Sequence, residues 1–422
     1  MGRLCVHVVR HRNMNILIIC HHRRFKTFIR PLPLATHLAK RGHRVDFVCV
    51  SDRGRTRTTE CEDMGVRIVE TPDLFCGNAR SGWDPVSVLH RISWLKGQDV
   101  KWDVIQTLES RPATIYPLKW FLRRRPTPLV MDWIDWWGRG GLISEARPRW
   151  YQILFGRMET YFEEAFRTMA DGTTAISRPL MQRAVGLGVD PESVFVLRNG
   201  VQPICLEQAL AFDRTPTMRS AVRDRYGIPQ DAQVIMFSAL DVFFDVELVL
   251  RSVVELVPRF PRLCLVITGP ERVEIARLAS QLGLSDRTRQ LGRLLWERNF
   301  EVMLCADMLA LPLRDTPSNR GRWPSKAGDY MAAGRAIVAN PVGDVADVIR
   351  EAGTGLLAAY EPKSFAEACA RLLKDDGLRQ KTGLAGRNYV KEHLLWDKLV
   401  GDLEQFYRNV IERFDRAERP RV

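Results

Sequence analysis

The chain has 422 residues, of which 45% are hydrophobic and 27% are charged, a composition that is typical of a folded globular protein and excludes a disordered one. Its formal net charge of +13 favours anionic partners, namely nucleic acid, an anionic membrane surface or a phosphorylated ligand. The basic residues form no long block and no reader motif, so nucleic acid is not an expected partner, and no apolar run reaches the roughly 18 residues of a membrane-spanning helix.

Length and cysteine usage constrain the organisation of the chain. At 422 residues it is too long for one ordinary core, so two domains are expected. The nine cysteines are scattered without a C-x-x-C pair, which argues against a zinc or disulfide framework and favours a reducing cytoplasm. Residues 1–13, MGRLCVHVVRHRN, are too short and too basic for a signal peptide, and we expect an N-terminal extension before a strand that opens at Met14.

Residues 14–200 alternate short apolar runs with helical patterns, as in a β–α–β fold with a parallel sheet. The predicted strands are NILIIC, RVDFVCV, VRIVETP, WDVIQTL, PLVMDWI, DGTTAIS and VFVLRNG. Helices are predicted over PLPLATHLAKRGH, around 86–98 and over about 149–169. These elements predict a first Rossmann-like domain.

The pattern loosens over 200–230, and this stretch is interpreted as a linker and the lead-in to a second unit over 205–392. Strands are then predicted at AQVIMFSAL, RLCLVITGP, TRQLGRL, MLALPLRD, RAIVAN and GTGLLAA, with helices among them. The predicted fold class is therefore α/β, with two doubly wound, Rossmann-like parallel-sheet domains that face a cleft.

Eight segments carry a family pattern: GHRVDFV, ADGTTAIS, VFVLRNGV, LVITGP, RQLGRL, ADMLALPL, PSKAGDYMAAGRAIVAN and LLWDKLVGDLEQFYRNVI. In this order they resemble the retaining glycosyltransferases of the GT-B fold, particularly the family 4 group, from Met14 to about residue 414. The resemblance implies transfer of a sugar from a nucleotide-sugar donor held by the C-terminal domain to an acceptor on the N-terminal domain. It also implies a helix over 393–414 that crosses back to the first domain, and a reaction without a metal or other cofactor.

The stretch WPSKAGDYMAAG has the parts that a nucleoside diphosphate requires. Pro324 and Ser325 predict a helix start, where backbone N–H groups bind phosphate. Lys326 lies in the first turn, where the helix dipole disfavours a cation unless an anion joins it. By resemblance, Asp329 occupies the second acidic position of the family's E-x7-E motif and holds the ribose hydroxyls. The alternative is that Lys326 and Asp329 form an ordinary pair on a helix surface.

Other donor contacts are predicted at the carboxyl ends of strands in the second domain, where ligands of parallel sheets bind. Thr268 and Gly269 follow LVI, and the backbone of Arg293 is expected to meet the base. Gly343 matches a family loop whose N–H groups approach the donor phosphates or sugar. For each position, ordinary turn chemistry is an equal alternative.

Two family positions are replaced in this chain. Gly321 stands eight residues before Asp329, where the family has the first acid of its motif. The Arg/Lys pair that usually follows the first strand of the second domain is also missing, because that segment reads FSALDVFFDVELV. The nearest candidates to supply the positive charge are Arg320, Arg322 and Lys326.

The loop after the first strand, CHHRRFKTFIRP, is basic where the family is usually glycine-rich. His21, His22, Arg23, Arg24 and Lys26 follow the carboxyl end of a strand and are predicted to contact the donor phosphates or a phosphate-bearing acceptor. The alternative is a solvated basic loop.

The stretch VMDWIDWWGRGG places two acids among three tryptophans, where many family members carry a histidine. Asp135 is predicted to orient the acceptor hydroxyl or to stabilise positive charge at the anomeric carbon, and Asp132 is assigned to the acceptor side. A metal is not expected, because no histidine accompanies the two acids. The tryptophans can line a sugar or lipid site, or simply fill the core.

A basic and aromatic region over 133–168, which includes ARPRWYQILFGRMETYF, suits an amphipathic face on an anionic bilayer. The alternative is a core helix with a basic outer face.

These observations together predict a cytoplasmic, metal-independent glycosyltransferase of the hexosyltransferase type. If the basic, aromatic region binds a membrane, the protein is expected to be peripheral on its inner face. Its acceptor is expected to be a cell-envelope glycan or a lipid-linked molecule. Two alternatives are a nucleotide-sugar epimerase of the same fold and a catalytically silent binding protein, which the two replaced positions make credible.

Overall fold

A computed structural model of the chain describes residues 13–52, 56–74, 81–239 and 244–417. The expected N-terminal extension lies outside the described residues except for Asn13. Within the described ranges the chain forms two parallel-sheet α/β units, which confirms the predicted fold class. No helix in those ranges has both the length and the apolar character needed to cross a membrane.

The first unit contains an eight-stranded sheet with the strand order β3-β4-β2-β1-β5-β6-β7-β8, in which only the edge strand β3 is antiparallel. Its strands are β1 Asn15–Arg23, β2 Arg44–Val50, β3 Thr59–Asp63, β4 Val66–Thr71, β5 Val104–Leu108, β6 Leu129–Trp133, β7 Gly172–Ala175 and β8 Val194–Val196. Four consecutive β1 residues, 16–19, are fully buried because helices cover both faces of the sheet.

Among the described residues of this part of the chain, six α-helices accompany the sheet, and proline at the first helical position begins α1, α2 and α3. They are α1 Pro31–Lys40, α2 Pro85–Lys96, α3 Pro112–Leu122, α4 Leu142–Ala146, α5 Arg149–Glu164 and α6 Arg178–Gly186. Helix α2 also has an N-cap, because the Asp84 carboxylate accepts a hydrogen bond of 2.9 Å from the backbone N–H of Val86.

The second unit contains a six-stranded, fully parallel sheet with the order β11-β10-β9-β12-β13-β14. Its strands are β9 Gln233–Ser238, β10 Leu263–Thr268, β11 Thr288–Gln290, β12 Met308–Leu311, β13 Ala336–Ala339 and β14 Gly355–Leu357. The helices from this part of the chain are α7 Pro203–Arg214, α8 Pro216–Arg225, α9 Phe244–Leu256, α10 Val273–Gln281, α11 Trp296–Cys305, α12 Pro317–Gly321, α13 Ser325–Ala333, α14 Gly343–Ala352, α15 Pro362–Lys374, α16 Asp376–Tyr389 and α17 Trp396–Arg416.

The interpretation of 200–230 as a linker is wrong, because helices α7 and α8 occupy most of it. Both begin at a proline, and their apolar residues are buried against the core of the second unit, including Ala209, Phe212 and Val222. The edge strand β3 and the helix α3 were also absent from the predicted elements.

The last helix, α17, packs on the first unit although it follows the second in sequence. The Tyr407 hydroxyl donates to the side-chain carbonyl of Gln106 in β5. A Cβ on Gly172 in β7 would lie 2.7 Å from Val410 and 2.9 Å from Phe406, so glycine is what allows the helix to approach this strand.

The two units meet along a polar seam at the carboxyl ends of their strands. The Ser177 hydroxyl, directly after β7, donates to the Gly321 carbonyl at 2.6 Å. The Arg198 guanidinium contacts the buried Asp344 carboxylate at 2.9 Å, and the Glu145 carboxylate accepts from the Ser318 hydroxyl. Residues after strands of both sheets are therefore brought into one region, which is where ligands of doubly wound folds bind.

Candidate functional site

A cavity of about 1080 Å³ lies at the carboxyl end of the first sheet. The segments after β1, β5 and β6 form one side of it and helix α5 forms another. The residues that line the cavity include His21, His22, Glu109, Asp135, Tyr151 and Phe155. The predicted acceptor-side loop and the predicted catalytic acid are thus brought together in one place.

The two histidines reach the cavity because β1 is irregular at its end. The register between β1 and β2 shifts between Ile19 and Arg23. In a regular strand consecutive side chains point to opposite faces, whereas a bulge re-aims them. The rings of His21 and His22 lie 4.3 Å apart, tilted by 31°, and both side chains line the cavity.

Glu109 is a site residue that the sequence analysis missed. Its φ of +60° places it in the left-handed region, which a non-glycine residue seldom adopts. One carboxylate oxygen, Oε1, accepts from Trp137 Nε1 at 3.2 Å, and the other, Oε2, lies 3.4 Å from His21 Nε2. The available signal was an acid placed directly after a buried strand, at the sheet edge where ligands bind.

Asp135 lies partly buried between the two units. Burial, followed by the nearby Glu109 carboxylate, raises the pKa of Asp135 to about 6, and the Arg322 guanidinium opposes this shift. Because Arg322 belongs to the second unit, its charge acts on the carboxylate predicted to be catalytic from across the seam.

Two other acceptor-side predictions do not fit the structure. The Asp132 side chain is fully buried and accepts two hydrogen bonds of 2.7 Å from the Arg30 guanidinium and one of 2.5 Å from Thr174. Arg24 turns away from the cavity, to Asp63 at 2.8 Å and Glu70 at 3.7 Å. Asp132 is a core ion-pair partner, and Arg24 binds the outer strands of the sheet.

The remaining basic residues of this loop stay at the cavity. Arg23 lines it while donating to the Asp52 carbonyl, and Lys26 lines it with its ammonium group 5.5 Å from the centre of the Phe25 ring. This loop therefore brings two cationic side chains to the cavity, whose lining also includes the carboxyl groups of Glu109 and Asp135.

On the donor side, helix α13 begins at Ser325, and Pro324 is its N-cap residue. The side chain of the N-cap residue accepts no hydrogen bond from the first backbone N–H groups of the helix. Lys326 extends to the end of β9, where its Nζ donates to the Ser238 carbonyl at 3.1 Å. Burial and then the Arg322 guanidinium lower the pKa of Lys326 to about 8. Since Lys326 binds β9, the alternative of a simple Lys326–Asp329 helix pair is wrong.

Arg322 stands at the centre of the seam. Its charge acts on Asp135 of the first unit and on Lys326 and Asp245 of the second. Its Nε is buried and makes no hydrogen bond with the part of the chain that the structure describes. Arg320, by contrast, is exposed and binds Asp315 at 2.5 and 2.8 Å, so of the three cations predicted to supply the positive charge, Arg322 and Lys326 are the ones that act at the seam.

Asp329 projects from α13 towards α11. Burial raises its pKa to about 7, although a hydrogen bond from Trp296 opposes the shift. A buried carboxyl beside an aromatic ring is suited to accept hydrogen bonds from a bound polyol, and its pKa would fall on doing so.

The predicted glycines have steric reasons for their identity. Gly269 has φ +127°, and a Cβ there would lie 1.6 Å from the Ala239 carbonyl oxygen. Gly343 has φ +57°, and a Cβ would lie 2.8 Å from the Arg320 carbonyl oxygen. Both glycines permit close backbone approach at the sheet edge. Their contact with a donor stays a prediction.

The other two donor-side predictions lie at the same edge. The Thr268 hydroxyl is buried and donates to the Ser238 hydroxyl at 3.3 Å, which links the ends of β10 and β9. The Arg293 side chain is exposed just after β11. Neither arrangement identifies a ligand.

Gly321 leaves little room for the acid that the family pattern has there. A Cβ at this position would lie 3.2 Å from Trp136 Cβ and 3.4 Å from Leu180, both from the first unit. The replacement is therefore coupled to Trp136, which fills the space.

Two family models match the chain: "Glycosyl transferase 4-like domain" over residues 30–200 and "Glycosyl transferases group 1" over residues 232–375. Curated relatives include D-inositol 3-phosphate glycosyltransferase of Xylanimonas cellulosilytica, 27% identical over 258 residues, and N-acetyl-alpha-D-glucosaminyl L-malate synthase of Bacillus anthracis, 25% identical over 245 residues. These alignments span 60% and 57% of this chain and 60% of each relative.

Solved structures similar to this fold include WaaG, a glycosyltransferase involved in lipopolysaccharide biosynthesis, with a TM-score of 0.69 at 16% identity over 93% of this chain and 99% of that one. Another is HepE of Anabaena in complex with UDP, with a TM-score of 0.67 at 13% identity over 94% of this chain and 100% of that one. At these identities the likeness shows the fold alone.

Proposed function

The chain belongs to the GT-B glycosyltransferases of the family 4 type, and from this premise we propose that it transfers a hexose, with retention, from a nucleoside-diphosphate sugar to an anionic, lipid-linked acceptor. The observation that carries the donor half is the pair of cations, Lys326 and Arg322, at the strand ends of the seam. The donor-binding roles of Asp329, Thr268, Gly269, Arg293 and Gly343 are part of this proposal.

The cation pair replaces the family's missing Arg/Lys pair from a different element. Lys326 starts on α13 but places its ammonium group at Ser238, the last residue of β9. Even with its pKa lowered by burial to about 8, Lys326 is mostly charged at neutral pH and can donate charge-assisted hydrogen bonds to a diphosphate. Arg322 adds a second donor that can face the leaving phosphate.

The acid missing at Gly321 has a counterpart in the first unit. Asp135 lies in the field of Arg322, across the seam from Gly321 and next to Trp136, which packs on that glycine. With a pKa of about 6 it is mostly ionised at neutral pH. We assign it to bind the acceptor hydroxyl while the cations stabilise the departing diphosphate on the same face of the sugar, as retention requires.

The acceptor half rests on the cavity and on helix α5. Phe155 of α5 lines the cavity, whereas Trp150, Ile153 and Leu154 on the same helix are 59%, 77% and 67% exposed. Exposed basic residues 147, 149 and 157 flank this apolar surface. A helix with a large apolar face and basic neighbours binds an anionic bilayer interface, so a lipid anchor would pass from α5 to the cavity.

The chemistry of the acceptor head follows from the cavity mouth. Arg23 and Lys26 favour a phosphate or carboxylate, and relatives that match this chain are named for inositol 3-phosphate and for malate as acceptors. Inositol 3-phosphate and malate are both anionic, and the lipid anchor is the further feature that we propose for the acceptor of this chain.

The donor half is tested by binding. Thermal-shift and calorimetric titrations of the full chain with nucleotides and nucleotide sugars should identify a donor, and Asp329→Ala should weaken it. Stabilisation by none of these compounds overturns the transferase proposal. Unchanged binding by Asp329→Ala overturns the site assignment. Conversion of the donor sugar without an acceptor would instead show an epimerase, and binding without turnover of any acceptor a silent protein.

The acceptor half is tested on vesicles. Wild type should sediment with vesicles that contain anionic lipid and not with neutral ones, and the double variant Ile153→Asp, Leu154→Asp should lose this binding roughly 10-fold or more. Leu384→Asp is the matched control, because Leu384 is 60% exposed on the remote helix α16. Faster turnover of a free polyol phosphate than of its lipid-linked form would contradict a lipid-linked acceptor.

A further inference from the structure

Three side chains at the floor of the cavity, His21, His22 and Glu109, have the composition of a transition-metal site. Each offers one ligand atom, and these atoms all lie within 4.8 Å of one another. Within the described residues this is the single cluster of that kind. Two imidazoles and a carboxylate form a ligand set that leaves a coordination position open in catalytic metal sites.

The distances are close to those of a bound site. His21 Nε2 and Glu109 Oε2 are 3.4 Å apart. Ligands at about 2.0–2.2 Å from a tetrahedral ion lie roughly 3.3–3.6 Å from one another, so this pair already has the required separation. The His22 ring lies 4.3 Å from the His21 ring, and its ligand atom lies within 4.8 Å of those of the other two residues.

Two backbone irregularities bring the ligands together. The register shift at the end of β1 lets the adjacent residues His21 and His22 face the same cavity. The left-handed φ of +60° at Glu109 directs its carboxylate at His21 instead of along the strand. Non-glycine residues in this region cost about 1–3 kcal/mol and cluster at functional sites. Two independent departures from regular geometry thus converge on one cluster.

The surroundings also prepare the ligands. Trp137 Nε1 donates to Oε1 of Glu109 at 3.2 Å, which holds the carboxylate and leaves Oε2 for the ion. The Ser81 hydroxyl donates to the His21 carbonyl and holds the backbone. The buried Nδ1 of His22 has no hydrogen-bond partner within the described residues, so this nitrogen is available to an ion.

Cations near the cluster do not exclude a metal ion. The Arg111 guanidinium is nearby, but it forms a buried ion pair with Glu159. Asp135 adds a second carboxylate beside Glu109. A divalent ion held here would make the cavity strongly positive, as suits an anionic acceptor head group.

We propose that His21, His22 and Glu109 bind one divalent transition-metal ion of the zinc type, whose open position takes a phosphate or carboxylate oxygen of the acceptor. The role of the ion in holding the acceptor rests on the proposed function, whereas the binding of the ion does not. This proposal replaces the expectation, drawn from the family pattern, that no metal takes part.

The test uses the full chain, stripped with a chelator and dialysed. Calorimetric titration with Zn²⁺, and the visible absorption of added Co²⁺, should each show one equivalent bound. His22→Ala and Glu109→Gln should each weaken binding of both ions by well over about 100-fold, more than the roughly 10- to 100-fold loss expected from removing an outer-shell partner. His393→Ala is the control, because His393 is exposed and remote from the cavity, and it should bind as wild type does.

Loss of metal binding in a variant must be distinguished from loss of its fold. Thermal melting confirms that each variant is folded, and Glu109→Gln keeps the carbonyl that accepts from Trp137. Absence of a stoichiometric ion, or equal binding by wild type and both folded variants, overturns the proposal and leaves a histidine–carboxylate pair. Donor affinity measured in the presence of a chelator tests the donor side of the molecule independently of the metal. If the protein binds zinc but no nucleotide sugar, the proposed function is refuted and the proposed metal site is not.

Discussion

The two sides of the seam differ in how the charged groups at their strand ends are paired. In the first unit most buried charges are paired within the protein, as in Arg30 with Asp132 and Arg111 with Glu159. In the second unit Lys326 donates to the Ser238 carbonyl and lies over the Phe237 ring, and Asp329 receives a hydrogen bond from Trp296. Both of their pKa values are moved towards neutrality by burial, to about 8 and about 7.

Most buried charges of the first unit are therefore already paired within the protein, whereas Lys326 and Asp329 of the second unit would be paired by a bound ligand. Buried ion pairs fix geometry, and breaking one leaves an uncompensated charge. Buried, unpaired groups near their titration point are instead poised to gain charge or lose a proton when an oppositely charged ligand arrives. On this view the first unit holds an acceptor in a rigid cavity and the second responds to the donor.

The largest expected effect is on the stability of the paired side. Asp132→Asn leaves Arg30 buried with no compensating charge, so we expect the free energy of unfolding to fall by about 3–5 kcal/mol. Urea denaturation measures it. Arg320→Ala, which removes an exposed pair with Asp315, should change stability by no more than about 1 kcal/mol. A stable Asp132→Asn protein that had lost only acceptor binding would return Asp132 to the acceptor side.

On the other side, Lys326→Met should leave the fold intact and act on the donor. It keeps most of the side-chain volume and removes a charge-assisted contact of about 1.5–3 kcal/mol, so the Kd of a nucleoside diphosphate should rise roughly 10- to 100-fold. Calorimetry measures this, with the exposed Lys363→Met as control. An unchanged Kd in a folded variant would place the diphosphate elsewhere.

The sequence was sufficient for the architecture because buried parallel strands are continuous apolar runs, and these can be recognised one at a time. It was insufficient where a role depends on a distant partner. Asp132 and Asp135 are three residues apart in similar surroundings, yet Asp132 lies within β6 and pairs with an arginine 102 residues away, whereas Asp135 lies beyond the strand.

Glu109 shows a second limit. Its contact with His21 depends on a left-handed backbone conformation, which no propensity of glutamate favours. The segment 200–230 shows a third, because its many charged and proline residues obscured helices whose apolar faces pack on the second unit.

The seam itself can be probed by restoring the family's acid. Gly321→Glu must push against Trp136, so we expect it to lower stability by about 1–3 kcal/mol and not to improve turnover. Gly186→Glu is a suitable control, since a Cβ at Gly186 meets nothing within 4 Å. Increased activity in Gly321→Glu would mean that Trp136 moves aside and that Asp135 does not substitute for the lost acid.

The smallest expected effect is a pH dependence that belongs to the donor side alone. Only the ionised Asp329 carboxylate accepts hydrogen bonds at both oxygens, and with a pKa of about 7 its ionised fraction rises from roughly a tenth at pH 6 to nine tenths at pH 8. Donor affinity should therefore increase by up to about tenfold over this interval.

Lys326 is expected to produce the alkaline limb of the pH profile of donor affinity. With a pKa of about 8 it loses its proton as the pH rises further, so affinity should fall above pH 8 and the profile should pass through a maximum between the two values. Asp329→Asn should flatten the acid limb alone and Lys326→Met the alkaline limb alone, both followed by calorimetry with a nucleoside diphosphate sugar. If Asp329→Asn retains the acid limb, the proton belongs to another group, with Asp135 and its pKa of about 6 the next to examine, and the poised groups would then lie on both sides of the seam.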